Sequence, residues 1–124
     1  MGLFLWGGSS SNIDIHTKIS LEKDVENFQK ELLKSENAQK EFERLGKLIN
    51  SIFMKAFGIS YKFTYEDLKL EAFEKAQNEE TRKTTGELCD SLNEMEFDKN
   101  KITKEKLLTA SEKAMQLIDL VLHN

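Results

Sequence analysis

Apolar residues recur along this chain at intervals that predict mainly helix. The first stripe steps by four and three residues, which lines one face of a helix. Its members are Leu21, Val25, Phe28 and Leu32. A second stripe with a different phase starts at Ala38 and stops before Gly58, a natural residue to follow a helix C-terminus. The region 20–57 is interpreted either as one long helix with a slip in the stripe or as two helices; we favour two, with a break near 35–37 and Ser20 as the first N-cap.

Further helices are predicted after Gly58. Thr64 and Asn78 are suitable N-cap residues ahead of two shorter stripes, and Thr103 repeats the pattern ahead of a broad apolar face. That last face carries Leu107, Ala110, Ala114, Leu117, Ile118 and Val121. The pattern as a whole predicts a mainly α, single-domain bundle of four to five helices with short connections.

Two short stretches alternate between apolar and polar residues, which is the period of a β-strand. In 13–19 the alternating residues include Ile13, Ile15 and Ile19, and in 59–63 they include Ile59 and Phe63. Two interpretations stay open here. The stretches pair as a short two-stranded ribbon beside the helices, or both are extended connectors.

An apolar tetrapeptide, Leu3, Phe4, Leu5 and Trp6, is followed by Gly7-Gly8-Ser9-Ser10-Ser11-Asn12. The tetrapeptide is too short for the core of a secretory signal, and no basic residue precedes it. We interpret residues 1–12 as an apolar arm with a flexible linker, followed by a helical domain at 13–124. The four arm residues are candidate interaction residues.

The stretch "LINSIFMKAF" has an unusually wide apolar face, about 240° of the helix surface at 100° per residue. An ordinary surface helix shows a narrower stripe. Either this helix is central to the bundle, or its second side contacts another subunit or partner. In the second case Phe53, Met54 and Phe57 join the candidate interaction residues.

Charge and cysteine content narrow the class of partner and the cellular setting that we expect. The net charge is −4, and acidic and basic residues alternate along each segment, which argues against nucleic acid as a partner. A single cysteine, Cys89, cannot form an intramolecular disulfide, so a reducing, cytoplasmic setting is expected. Cys89 lies between Leu88 and Leu92 in the helical pattern and is interpreted as a buried apolar residue.

No pattern of catalytic or ligand-binding residues emerges. The two histidines, His16 and His123, are far apart in the chain, and Asp14 with His16 alone is a weak metal motif. The glycines form no phosphate-binding loop. Gly46 and Gly86 fall inside helices, where they are expected to mark close helix crossings. We therefore predict no enzyme, no cofactor and no metal.

The leading hypothesis is a non-catalytic adaptor, regulator or inhibitor that works through protein–protein contact, including self-association as a homodimer. One alternative is a peripheral membrane protein that inserts the arm at Leu3–Trp6, although the arm has no nearby lysine to attract anionic lipid. Another alternative is a binder of a small apolar ligand between helices.

Overall fold

The protein is helical throughout the part that the computed structural model describes, which is the backbone of 3–59 and 64–122 and the side chains of 15–59 and 64–122. Within these residues there are five α-helices, one short 3-10 helix and no strand. They are α1 Leu3–Lys34, α2 Ala38–Phe57, α3 Tyr65–Lys75, α4 Glu79–Phe97, the 3-10 helix Lys99–Lys101 and α5 Lys104–Leu122. The predicted all-α bundle of four to five helices is confirmed.

The helix ends follow the capping residues of the sequence. Asn37, Thr64, Asn78 and Thr103 each accept a hydrogen bond from the backbone amide three residues later. Gly58 adopts the left-handed conformation with φ 71°, and its amide donates to the carbonyl of Met54. The predicted break between the first two stripes is therefore confirmed, and Asn37 begins the second helix.

Helices α2 and α5 form the inner pair of the bundle. α2 packs against α1, α3 and α5, while α5 packs against α1, α2 and α4. α1 lies on one side of this pair, and α3 with α4 lies on the other. Lys18 Nζ lies 3.0 Å from Asp119 Oδ1, and Lys104 Nζ donates to the carbonyl of Leu33, so α1 and α5 are antiparallel.

A single apolar core joins all five helices. The largest fully buried side chains include Leu21 on α1, Phe53 on α2, Leu68 on α3, Leu92 on α4 and Leu117 on α5. Removing an aliphatic or aromatic side chain of this size from water contributes about 1.5–3 kcal/mol. The stripes that predicted the helices are thus the residues that hold them together.

The predicted β ribbon is wrong in its first half, because residues 13–19 belong to α1. Ser20 is likewise inside the helix and not an N-cap. Ile15 and Ile19 are 46% and 47% exposed, so they do not form the half-buried face of a strand. The stretch continues the helix whose Leu21 and Val25 are buried in the core, and this tertiary context overrides the weak strand preference of β-branched residues. Residues 60–63 of the second stretch lie outside the described residues.

The predicted boundary between residues 12 and 13 stays a prediction. The backbone of α1 runs from Leu3 through this boundary. The side chains of 3–14 lie outside the described residues.

Candidate functional site: a groove between α2 and α4

The short helix α3 fills only part of the space between α2 and α4. It has 11 residues, against 20 in α2 and 19 in α4. Its first residue, Tyr65, lies against Gly46 of α2, and Phe73 lies against Gly86 of α4. Gly46 and Gly86 therefore mark close helix contacts, as predicted. Beyond Tyr65 the space between α2 and α4 is open.

This opening is a groove of about 330 Å³, which we call the α2–α4 groove. Its floor combines buried and half-buried side chains of Phe42, Tyr65, Met95 and Ile102. Its rim consists of exposed polar side chains, which are Gln39, Glu43, Lys47 and Asn50 from α2, Glu96 from α4 and Lys99 from the 3-10 helix. An apolar floor with a few polar groups around it is the usual composition of a binding pocket.

Tyr65 supplies a hydroxyl group to the wall of the groove. A Cβ added at Gly46 would lie 2.9 Å from Tyr65 Oη, so only glycine lets the phenol lie so close to α2. The ring packs edge-on against Phe42, with centroids 6.4 Å apart. Burial, with a smaller contribution from Glu96, raises the pKa of Tyr65 to about 12. The hydroxyl therefore stays protonated at neutral pH and can donate a hydrogen bond.

The charged side chains on the rim differ in their pairing from the acidic side chains elsewhere on α4. Glu87 and Glu94 each lie 2.9 Å from a lysine of α5, and Asp90 lies 2.8 Å from Lys69 of α3. In contrast, two acids and two bases on the rim form no ion pair with any described residue. These are Glu43, Lys47, Glu96 and Lys99. The rim thus offers both signs of charge to a ligand.

Phe97 extends the surface beside the groove. It follows Gly86 and Asp90 by eleven and seven residues, so it lies on the α4 face that contacts α3. Its side chain is 93% exposed, because α3 starts at Tyr65 and does not extend along α4 as far as Phe97. The sequence pattern offered no signal for Phe97, since the residues after it predicted only a turn.

Of the seven predicted interaction residues, the structure describes the side chains of three. Phe53 is fully buried and Phe57 is 8% exposed, and their rings pack against each other with centroids 5.5 Å apart. The wide face of α2 is therefore core at these two positions. Met54 is 46% exposed. The side chains of Leu3–Trp6 lie outside the described residues.

Cys89 does not supply a nucleophile. It is fully buried, and burial raises the pKa of its thiol to about 12. Because the thiolate is the reactive form, the thiol is inert at neutral pH. The interpretation of Cys89 as a core residue is confirmed.

Two further searches cover only the residues that the structure describes. Among them no group of three or more histidine, cysteine, aspartate or glutamate side chains could hold a metal ion. No helix in the same part of the chain is long and apolar enough to cross a membrane.

No protein-family model, no curated protein and no solved structure matches this chain. The function therefore has to be inferred from the molecule's own surface. The α2–α4 groove combines an apolar floor with a charged rim, and it is the candidate site on that surface.

Proposed function

We propose that this protein is a non-catalytic cytoplasmic adaptor, regulator or inhibitor that binds a segment of another protein in the α2–α4 groove. The observation that carries the proposal is the combination of an apolar floor with a rim of four charged side chains unpaired within the described residues. Protein interfaces have this composition, with apolar anchors at the centre and polar groups around them.

The shape of the groove favours a chain segment over a compact ligand. On the α2 side the rim runs from Gln39 to Asn50, which is about 16 Å of helix at 1.5 Å per residue. An aromatic or aliphatic side chain of the partner would fill the floor beside Phe42. The hydroxyl of Tyr65 would donate to a carbonyl of the partner, since it donates to no described residue.

The charges on the rim define the partner further. Each wall carries one acid and one base, which are Glu43 and Lys47 on α2 and Glu96 and Lys99 on the other side. A segment with basic and acidic residues on both sides of its apolar anchor would satisfy all four. A segment of uniform charge would meet two repulsive contacts.

A small apolar ligand is the second candidate. A volume of about 330 Å³ lies at the lower end of the range for small-molecule sites, and the rings of Phe42 and Tyr65 would contact such a ligand. A ligand of this kind would raise the melting temperature of the protein in a fragment screen. A chain segment is favoured because a small apolar ligand leaves the rim charges unused.

The test is a selection from a random peptide library displayed on phage, followed by affinity measurements with the selected peptide. Two variants change the groove and its surroundings, Lys47→Glu on the rim and Phe97→Ala on the exposed surface beside it. Two matched variants make comparable changes on α1, Lys30→Glu and Leu33→Ala, where Lys30 is exposed and Leu33 is 68% exposed. All four leave the core untouched.

We expect selected peptides to carry an apolar anchor flanked by both signs of charge. The two groove variants should weaken binding about tenfold or more, which corresponds to about 1.4 kcal/mol, while the α1 variants leave it unchanged. The proposal is wrong if the library yields no binder, or if the α1 variants weaken binding as much as the groove variants do.

A further inference from the structure

The two ends of the bundle differ because α1 is longer than the helices beside it. α1 has 32 residues and α5 has 19. Lys18 pairs with Asp119 near the end of α5, and Lys104 near its beginning donates to the carbonyl of Leu33. α5 therefore spans α1 only from about residue 15 onward. Residues 3–14 continue as helix for about 18 Å past the end of α5.

A second cavity opens at the end of the bundle from which residues 3–14 extend. It measures about 470 Å³ and lies where the ends of α2, α3 and α5 meet the start of α4. We call it the end cavity. Its lining combines the apolar residues Ala56, Phe57, Ala76, Leu120 and Val121 with the polar residues Lys75, Gln77, Asn78 and Thr81. The α2–α4 groove lies at the opposite end of the bundle, so the two sites are separate.

We propose that two copies of this chain associate end to end, with residues 3–14 of each copy lying over the end cavity of the other. The segment contains the most apolar tetrapeptide near the cavity end, Leu3–Trp6. A helix that leads away from its own bundle cannot cover its own cavity. It can cover the cavity of a second copy that faces it.

The surface of α1 directly after residues 3–14 supports the same arrangement. Ile15 and Ile19 are 46% and 47% exposed on α1, one helical turn apart, next to the point where α5 ends. A second copy docked end to end would cover them together with the cavity. The contact is reciprocal and two-fold symmetric, so it closes on itself as a dimer and does not propagate into a fibre.

The area of this contact predicts a reversible dimer. A helix about 18 Å long and about 10 Å wide that buries half of its flank removes about 300 Å² from water. Counting an equal area on the surface it covers and the second, symmetric contact, the total is about 1,200 Å², at the lower end of the usual range of about 1,200–2,000 Å² for stable specific interfaces. Association should therefore depend on protein concentration.

The test is sedimentation equilibrium of the full chain over a wide concentration range, with the monomer at 14.3 kDa. Leu120→Arg changes the end cavity, and Trp6→Ala changes the segment that we propose covers it. Leu33→Arg is the matched control, because Leu33 is 68% exposed at the opposite end of α1. Far-ultraviolet circular dichroism verifies that each variant is folded. Trp6 is the only tryptophan, so its emission reports this segment alone.

We expect wild type to move from monomer to dimer with concentration, with a blue shift of Trp6 emission over the same range. Trp6→Ala and Leu120→Arg should each raise the dimer dissociation constant about tenfold or more, and Leu33→Arg should leave it unchanged. A protein that is monomeric at every concentration overturns the inference. So does a dimer that only Leu33→Arg disrupts, a blue-shifted Trp6 in the monomer, or a shift of Trp6 emission that requires phosphatidylcholine vesicles.

Discussion

Replacing Gly46 with alanine tests the contact that ends the α2–α4 groove. Two opposing effects act at this position. Alanine in a helix interior is more favourable than glycine by about 1 kcal/mol. The new Cβ would lie 2.9 Å from Tyr65 Oη, which is too close, so the phenol or the start of α3 must move. Forcing an extra methyl group into a packed contact costs about 1–3 kcal/mol.

Tyr65→Phe separates these two effects, because it removes the atom that the new Cβ would meet. In the Tyr65→Phe background we expect Gly46→Ala to stabilise the protein by about 1 kcal/mol, the helix-propensity gain alone. In the wild-type background the same substitution should be neutral or destabilising. Tyr65→Phe alone should be close to neutral, since no described residue accepts a hydrogen bond from this hydroxyl.

Urea unfolding followed by circular dichroism measures all four proteins of this double-mutant cycle. The coupling equals the cost of the close contact, about 1–3 kcal/mol, which corresponds to a difference of about 0.5–1.5 M in the urea midpoint. Equal effects of Gly46→Ala in the two backgrounds would refute the placement of Tyr65 on α2. The description of Tyr65 as part of the groove wall would then be wrong as well.

Three further predictions concern the core and the links between helices. Phe53→Ala should cost about 3–5 kcal/mol because the side chain is fully buried, whereas Met54→Glu, next to it and 46% exposed, should stay within about 0.5 kcal/mol and keep its helical content by circular dichroism. Hydrogen bonds from lysines of α5 lower the pKa of Glu87 and Glu94 below the usual value of 4.5. The contribution of these two ion pairs to the stability of the fold is therefore present at neutral pH and is lost as the pH falls below 4.5. The melting temperature of the variant that combines Glu87→Gln with Glu94→Gln should therefore lie below that of wild type at pH 7 and approach it in acid; an equal gap at both pH values would contradict this. Cys89 should react with a thiol reagent only after denaturant is added, and rapid labelling of the native protein would contradict its burial.

The helices of this fold could be predicted because apolar spacing and capping residues agree along most of the chain. Asn78 and Thr64 begin helices where their side chains predict it, and Gly58 ends one. The stretch 13–19 misled because isoleucines at alternate positions indicate a strand. It continues the helix whose Leu21 and Val25 are buried in the core, and the alternation within the stretch does not report that context.

The candidate site was much harder to predict. The groove exists because α3 is too short to cover the space between α2 and α4, and no local pattern reports the length of one helix against another. Glu43 and Lys99 have ordinary sequence surroundings, and Phe97 follows the last buried position of its stripe. The wide face around Phe53 attracted attention instead, and there the structure shows core. The spacing of apolar residues along the sequence predicts which residues are buried, but not which exposed residues lie close together in the fold.

The central claim is that the α2–α4 groove is where this protein binds a partner segment. The most direct measurement is mapping of amide chemical shifts in the ¹⁵N-labelled protein during titration with a library-selected peptide. We predict that the largest shifts fall on α2 between Gln39 and Asn50, on Tyr65, and on Glu96 and Lys99 across the groove. Shifts concentrated on α1, on the end cavity, or nowhere on the described surface would contradict the account.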